Sequence, residues 1–172
     1  MSILAIFLAL AKRPPDIEIG GADRPYLRRW HLIPRNRICN IYLHEFRRDD
    51  DDRALHDHPW PNCSVLLSGR YYEIQFAQNP VHGDPLPAQV QVLRQPGRPV
   101  FRRAKTAHRV VLLRDGEGNP MPCWSLFLTG ANLRSWGFWC PAGRWVHWRS
   151  FTAGPRGEIV GAGCGDPAQG RN

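Results

Sequence analysis

The stretch LHDHPWPN, residues 55–62, sets His56 and His58 two positions apart with Asp57 between them. In an extended strand residues i and i+2 project to the same side, so the two imidazoles share one face and Asp57 turns to the other. Neutral imidazoles on one face are part of the donor set that a first-row divalent ion takes, and the positions they leave open admit water, substrate or dioxygen. The pair alone is a weak signal in a chain with seven histidines. Its alternative is a hydrogen-bonded pair in a pocket without metal. Asp57, facing away, is expected to pair with an arginine such as Arg53, and Pro59 to close the strand by withholding a ladder donor.

Further groups stand on strand-like runs. In CNIYLHEF, residues 39–46, Cys39, Ile41 and Leu43 fall on one face and Asn40, Tyr42 and His44 on the other. Tyr42 and His44 are candidate acid–base groups if that second face lines a cavity, and wall residues if it does not. Glu73, in RYYEIQF, shares a face with Tyr71 and Gln75 and is a candidate general base or substitute ligand; a strand carboxylate facing water is the commoner case. Trp136, Trp139, Trp145 and Trp148 read as core rather than pocket lining. Cys63 and Cys140 read as small buried hydrophobes. His31 and His147 read as structural, and His82 as exposed in the Pro-rich loop 77–88.

The elements that must position these groups are short. Sixteen Gly and sixteen Pro leave few windows long enough for a helix. Candidate strands run over 27–33, 38–46, 54–58, 62–68, 70–76, 89–94, 98–103, 107–113, 123–129, 136–140 and 145–149, which points to an all-β sandwich or barrel. At 172 residues one core suffices. The start, MSILAIFLAL, predicts an amphipathic helix over 1–15; Ala9-Leu10-Ala11 resembles a signal-peptidase site, but no basic residue precedes the apolar run, which is too short to cross a bilayer. The barrel is expected over 16–151. The small, polar residues 152–172 predict a disordered tail. The charged turn RRDDDDR, 47–53, predicts a solvated loop.

The net charge of +8 comes from 21 Arg and 2 Lys scattered along the chain. No zinc-finger spacing, aromatic RNA-binding signature or basic helix accompanies them, so nucleic acid is not expected as a partner and an anionic small ligand is. Five cysteines, at 39, 63, 123, 140 and 164, form no CxxC pair. Neither a disulfide framework nor a thiolate zinc knuckle is suggested, and a reducing, cytoplasmic setting is expected.

Gly69 follows His58 by eleven residues, and Gly97 precedes His108 by eleven in GRPVFRRAKTAH. This spacing resembles the two motifs of the cupin superfamily, His-x-His followed by Glu and Gly, and Gly followed by Pro-x-Gly and His. Both histidines and the closing glycine of the first motif are in place, with Asn62 at the glutamate position. In the second, Arg103 and Lys105 stand at the proline and glycine. The wider context, PYLRRWHLIPRNRICNIYLHEF with WSLFLTG and WGFWCPAGRWVHW, is similar to uncharacterised cupin-like proteins of bacteria and their phages over roughly residues 10–150. The resemblance implies a double-stranded β-helix, or jelly-roll barrel, with His56, His58 and His108 as ligands of a divalent metal ion (Fe, Zn, Ni or Mn) and Asn62 as a weak fourth ligand or none.

A site built this way carries no ligand charge, so the dication keeps its full charge and attracts anions. Arg102, Arg103 and Lys105, just before His108, would add to that field as substrate-binding residues, or form a solvated strand edge. The resulting expectation is oxygenation or isomerisation of a small anionic molecule. The alternative is a non-enzymatic ligand- or metal-binding accessory protein, phage-associated in the manner of its resemblance. Exposed edge strands suit a homodimer.

Overall fold

The computed structural model describes residues 9, 12–21, 23–50, 54–155 and 157–165. Most of the expected N-terminal helix, residues 1–8, 10 and 11, lies outside the described residues, as do Asp51–Arg53 of the charged turn and the last part of the tail.

Fourteen strands are described: β1 (Ile17–Ile19), β2 (Leu27–His31), β3 (Asn40–Phe46), β4 (Leu55–His56), β5 (Asn62–Ser68), β6 (Tyr71–Phe76), β7 (Gln89–Arg94), β8 (Pro99–Arg102), β9 (His108–Leu112), β10 (Cys123–Thr129), β11 (Gly137–Cys140), β12 (Arg144–His147), β13 (Thr152–Ala153) and β14 (Ile159–Val160). They form one sheet in the order β1-β2-β3-β10-β5-β8, a second in the order β12-β11-β4-β9-β6-β7, and the small pair β13-β14. Every pairing is antiparallel. The four strands β3-β10-β5-β8 face the four strands β4-β9-β6-β7, and the chain alternates between sheets as it runs from β3 to β6. That order is the double-stranded β-helix, and the fold is the expected jelly roll. Among the described residues no helix is long and apolar enough to cross a membrane.

Alternation explains which side chains enter the barrel. In β10, Cys123, Ser125, Phe127 and Thr129 are buried and the residues between them are only partly so, as a strand with one face on a core requires. One end of the interior is apolar, packed from Leu66, Tyr71, Val110, Leu112 and Cys123 with Phe46 against them. At the other end the inward positions are polar: Asn62 and Ser64 on β5, Glu73 on β6, Arg102 on β8, His108 on β9 and His44 on β3 are all buried.

The two motif glycines are turn residues. Gly69 joins β5 to β6 at φ 78°, and Gly97 joins β7 to β8 at φ 84°, a region that costs any residue with a Cβ. At Gly69 an added Cβ would also sit 2.7 Å from Cys123 Sγ and 2.8 Å from Pro122 O.

Three expectations need correction. The tail is ordered through residue 165: after a helical turn, Trp148–Phe151, the β13-β14 pair forms, and the Phe151 ring stacks 3.7 Å from Phe138. Cys140 is not a free thiol but is bonded to Cys164. The charged turn is not simply solvated: Asp49 Oδ1 accepts from Leu112 N at 2.8 Å and Asp50 Oδ2 from Val110 N at 2.9 Å. These two acids satisfy β9 donors beyond the single β4–β9 register pair, where no strand is left to do so.

Candidate metal centre

Strands β4 and β9 make one register pair, His56 with His108. His58 follows two residues after His56. The three rings stand 5.1 Å apart, centroid to centroid, for each of the three pairs. One ligand atom from each lies within 4.8 Å of the others. The Nε2 atoms of His58 and His108 are 2.8 Å apart. Two nitrogens bound at right angles to one ion at about 2.1 Å each would be separated by about 3.0 Å, so this spacing fits adjacent ligands of a shared cation. The His56 side chain stays 18% exposed, which leaves the group open to solvent on that side.

The donors are neutral. Burial depresses His56 to about 3, with His108 adding to it. Burial also holds His58 well below the ordinary histidine value, and lowers His108. Neutral imidazole is the form that ligates.

The HxH segment is held from behind by Asp57. Its Oδ1 accepts from Gly137 N at 2.9 Å, and its Oδ2 from Trp145 Nε1 at 3.1 Å and Arg134 Nη1 at 2.9 Å. The arginine partner is Arg134, from a distant segment, while Arg53 lies outside the described residues. Burial raises the Asp57 carboxyl despite these donors. On the other side the Trp60 ring stacks on His58 at 4.7 Å and 14°.

Glu73 is fully buried, which corrects the expectation of a strand carboxylate facing water. Its Oε1 lies 2.7 Å from His108 Nδ1. Arg102 grips it with Nε to Oε1 at 2.5 Å and Nη2 to Oε2 at 2.8 Å, and Arg94 Nε reaches Oε2 at 2.5 Å. Burial opposes its ionisation, but His108 and Arg102 hold the carboxyl well below the usual carboxylate range. With both oxygens engaged, Glu73 is a poor general base and does not replace a metal ligand. Its close contact with His108 Nδ1 is not aligned as a hydrogen bond, but a carboxylate at that distance favours the proton on Nδ1 and leaves Nε2, on the His58 side, free to ligate.

Arg102 is therefore not free to bind substrate: it is buried and spent on Glu73, on Ser64 Oγ at 2.8 Å and on Asn62 Oδ1 at 3.5 Å. Asn62, the expected weak ligand, turns its oxygen to Arg102, and its Nδ2 is buried without a partner. Arg103 and Lys105 are exposed at the start of the β8–β9 connection.

Tyr42 and His44 do face the interior. The His44 ring lies between Tyr42 (5.8 Å, 12°) and Phe127 (5.0 Å, 24°), and Phe127 in turn lies 6.2 Å from His58. His44 Nε2 accepts from Arg29 Nε at 2.8 Å. Burial and then Arg29 hold His44 well below its ordinary value, so it is a neutral imidazole.

Two residues escaped the sequence reading. Arg29 sits in a strand read only for its position, and its tie to His44 joins residues fifteen apart. Asp50, whose Oδ2 lies 3.9 Å from His56 Nδ1, is raised by burial to about 7. LRRWH does not alternate, so β2 gave no signal for the first, and a run of four acids gave none for the second.

No family model matches the sequence, and no curated protein is similar to it. Solved structures are. DMSP lyase DddQ from Ruegeria pomeroyi has a TM-score of 0.46 at 16% identity, covering 69% of this chain and 54% of that one. An uncharacterised conserved protein with a double-stranded β-helix domain from Klebsiella pneumoniae has a TM-score of 0.46 at 10% identity, covering 70% and 90%. An RmlC-like cupin family protein with a double-stranded β-helix fold from Methanocaldococcus jannaschii has a TM-score of 0.44 at 8% identity, covering 68% and 91%. The chain thus spans about half the length of the lyase and most of the length of the other two.

Proposed function

We propose that His56, His58 and His108 hold one divalent metal ion and that the barrel uses it to act on a small anionic molecule, by oxygenation or isomerisation. The observation that carries this reading is the convergence of the three imidazoles, with one ligand atom of each within 4.8 Å of the others. Their chemistry fits such an ion: three neutral donors, buried or nearly so, one of them backed by a carboxylate. The bound ion would supply Lewis acidity and open positions for an anionic group. The chain's own residues do the rest. Glu73 fixes the tautomer of His108, Asp57 fixes the HxH segment, and Trp60 shields His58 from water.

The metal is of the Fe, Zn, Ni or Mn class, and the setting we propose is cytoplasmic, with the Cys140–Cys164 bond as the feature that argues the other way. A second reading is a metal-binding module that converts nothing. The clamping of Glu73 favours it, because the one carboxylate contacting a ligand histidine is engaged on both oxygens.

Elemental analysis of tag-free protein tests the metal, with about one ion per chain expected, lost in both His58→Ala and His108→Ala. Oxygen uptake, and isomer formation followed by NMR, over a panel of small keto acids, hydroxy acids and phenolic acids then separates an enzyme from a binding module. Metal-replete protein inert to all of them would favour the module.

A further inference from the structure

Arg94 and Arg98 line a cavity apart from the three histidines. It lies between the two sheets where they end, at the edge strands β7 and β8, and measures about 270 Å³. None of the candidate metal ligands lines it. Glu73 stands between the two places: its Oε1 faces His108 Nδ1 at 2.7 Å, and its Oε2 takes Arg94 Nε at 2.5 Å. Arg102 grips the same carboxylate from β8, so a bridge from one sheet to the other lies between the cavity and the candidate metal centre.

The walls of the cavity are of two kinds. Leu66 and Val100 make an apolar side, and Ser64, Tyr71, Arg94 and Arg98 a polar one. Ser64 and Tyr71 are buried, 5% and 4% exposed. Ser64 Oγ accepts from Arg102 Nη1 at 2.8 Å, and the Tyr71 hydroxyl hydrogen-bonds with Ser64 and Arg102. Arginine can only donate, so it uses neither hydroxyl proton, and a bond between the two hydroxyls uses one of them. The other is left for an acceptor in the space they line. The charges there do not balance. Three arginines, Arg94, Arg98 and Arg102, stand at or beside the cavity against one carboxylate, Glu73. Arg94 reaches that carboxylate through Nε alone, and Arg98 makes no ion pair among the described residues. A cleft lined by an excess of one sign draws the opposite charge.

We propose that this cavity is a second small-molecule site, which takes an oxyanion, carboxylate or phosphate, borne on a short apolar body. Arg94 and Arg98 supply the charge and the N–H donors, the Ser64–Tyr71 pair a hydroxyl donor, and Leu66 and Val100 the apolar contact. Guanidinium groups bind carboxylate and phosphate alike through paired N–H donors. The volume is just under the roughly 300–1,000 Å³ of cavities that hold drug-sized ligands, so the ligand is smaller than those. The site goes beyond the proposed metal chemistry and does not depend on it.

Full-length protein, stripped of metal and dialysed free of chelator, is titrated by calorimetry at low salt with butyrate, propyl phosphate and the neutral butyramide. At least one of the two anions is expected to bind saturably, and butyramide about tenfold more weakly or not at all. The tighter anion names the oxyanion. Arg98→Gln, at an exposed position, should weaken that binding by about fivefold or more, and Val100→Trp, which fills the cavity, should abolish it. Arg149→Gln, which removes another exposed arginine on the helical turn of the tail, should leave it unchanged. No saturable binding of either anion overturns the site. So does unchanged binding in either cavity variant, or an equal loss in Arg149→Gln, which would mark general attraction to a basic surface. Butyramide binding as tightly as the anions overturns the oxyanion assignment. Should Val100→Trp fail to fold, Arg98→Gln decides by the same fivefold criterion.

Discussion

His56 and His108 are direct register partners across β4 and β9, with ring centroids 5.1 Å apart. A cross-strand pair of this kind shares one face of the sheet, so the backbone alone brings together two histidines separated by 51 intervening positions in the chain. His58 then completes the group from the same short segment as His56. Each histidine should be indispensable. Metal content of His56→Ala, His58→Ala and His108→Ala is expected to fall to background while circular dichroism keeps the all-β signature; a variant that retains stoichiometric metal removes that residue from the set.

Glu73→Gln should cost both stability and affinity. It leaves Arg102 and Arg94 facing an amide, and breaking a buried charge pair costs about 3–5 kcal/mol. Loss of the carboxylate beside His108 should weaken metal binding by roughly 10–100-fold. Urea denaturation and competitive metal titration read the two effects separately. The double variant Glu73→Gln with Arg102→Met is expected to recover part of the stability and none of the affinity.

Much of the fold was legible in the sequence. The strands at 62–68, 89–94 and 123–129 coincide with the observed ones because period-2 alternation and bounding turn residues are local signals. The histidine centre was legible through motif spacing, and the glycines 69 and 97 through their turns. What was not legible depends on partners far along the chain. Glu73 reads as a surface acid until Arg94, Arg102 and His108 surround it. Arg102 reads as a free cation until Glu73 claims it. Asp49 and Asp50 read as a solvated run until the β9 amides meet them. Cys164, in a Gly-rich stretch, gives no local sign of its bond to Cys140.

Without metal, the protein should lose stability as pH falls from 7.5 to 5. A histidine held neutral by burial takes a proton only in the unfolded chain, so its contribution is present above about 6.5 and is lost as pH falls toward its depressed folded value. His56, down to about 3, and His44, His58 and His108, all lowered, act in this direction, each by up to about 1.4 kcal/mol per pH unit. Asp50, raised to about 7, and Asp57, also raised, act oppositely; Asp50 does so between roughly 4 and 7 and offsets about one histidine. Urea midpoints at the two pH values measure the balance; an unchanged or higher midpoint at pH 5 would contradict it. His44→Phe should flatten the slope.

The Cys140–Cys164 bond closes a loop of 24 residues and is expected to stabilise the folded chain by about 3 kcal/mol. Cys164→Ser should lower the urea midpoint and open the β13-β14 segment to protease. Metal content should be unaffected, since none of the three histidines lies in that loop. Intact mass before and after reduction checks that the bond forms.

Gly69→Ala places a Cβ at φ 78° and 2.7 Å from Cys123 Sγ. The backbone strain alone is about 1–3 kcal/mol, and the collision adds to it. A calorimetric melting temperature lower by several degrees is expected, and a neutral result would mean that the β5–β6 turn is far more yielding than its packing implies.

The carboxylates of Asp49 and Asp50 act on β9 as a neighbouring strand would, taking the Leu112 and Val110 amides with side-chain oxygens. His108 is carried by the same strand, so beyond its register pair with β4 the outer edge of β9 is fastened by an acidic loop rather than by sheet. Changing the length of that acidic loop, or converting its two anchors to amides, would work as a tuning screw on the grip of the site while leaving the eight-stranded frame as it is.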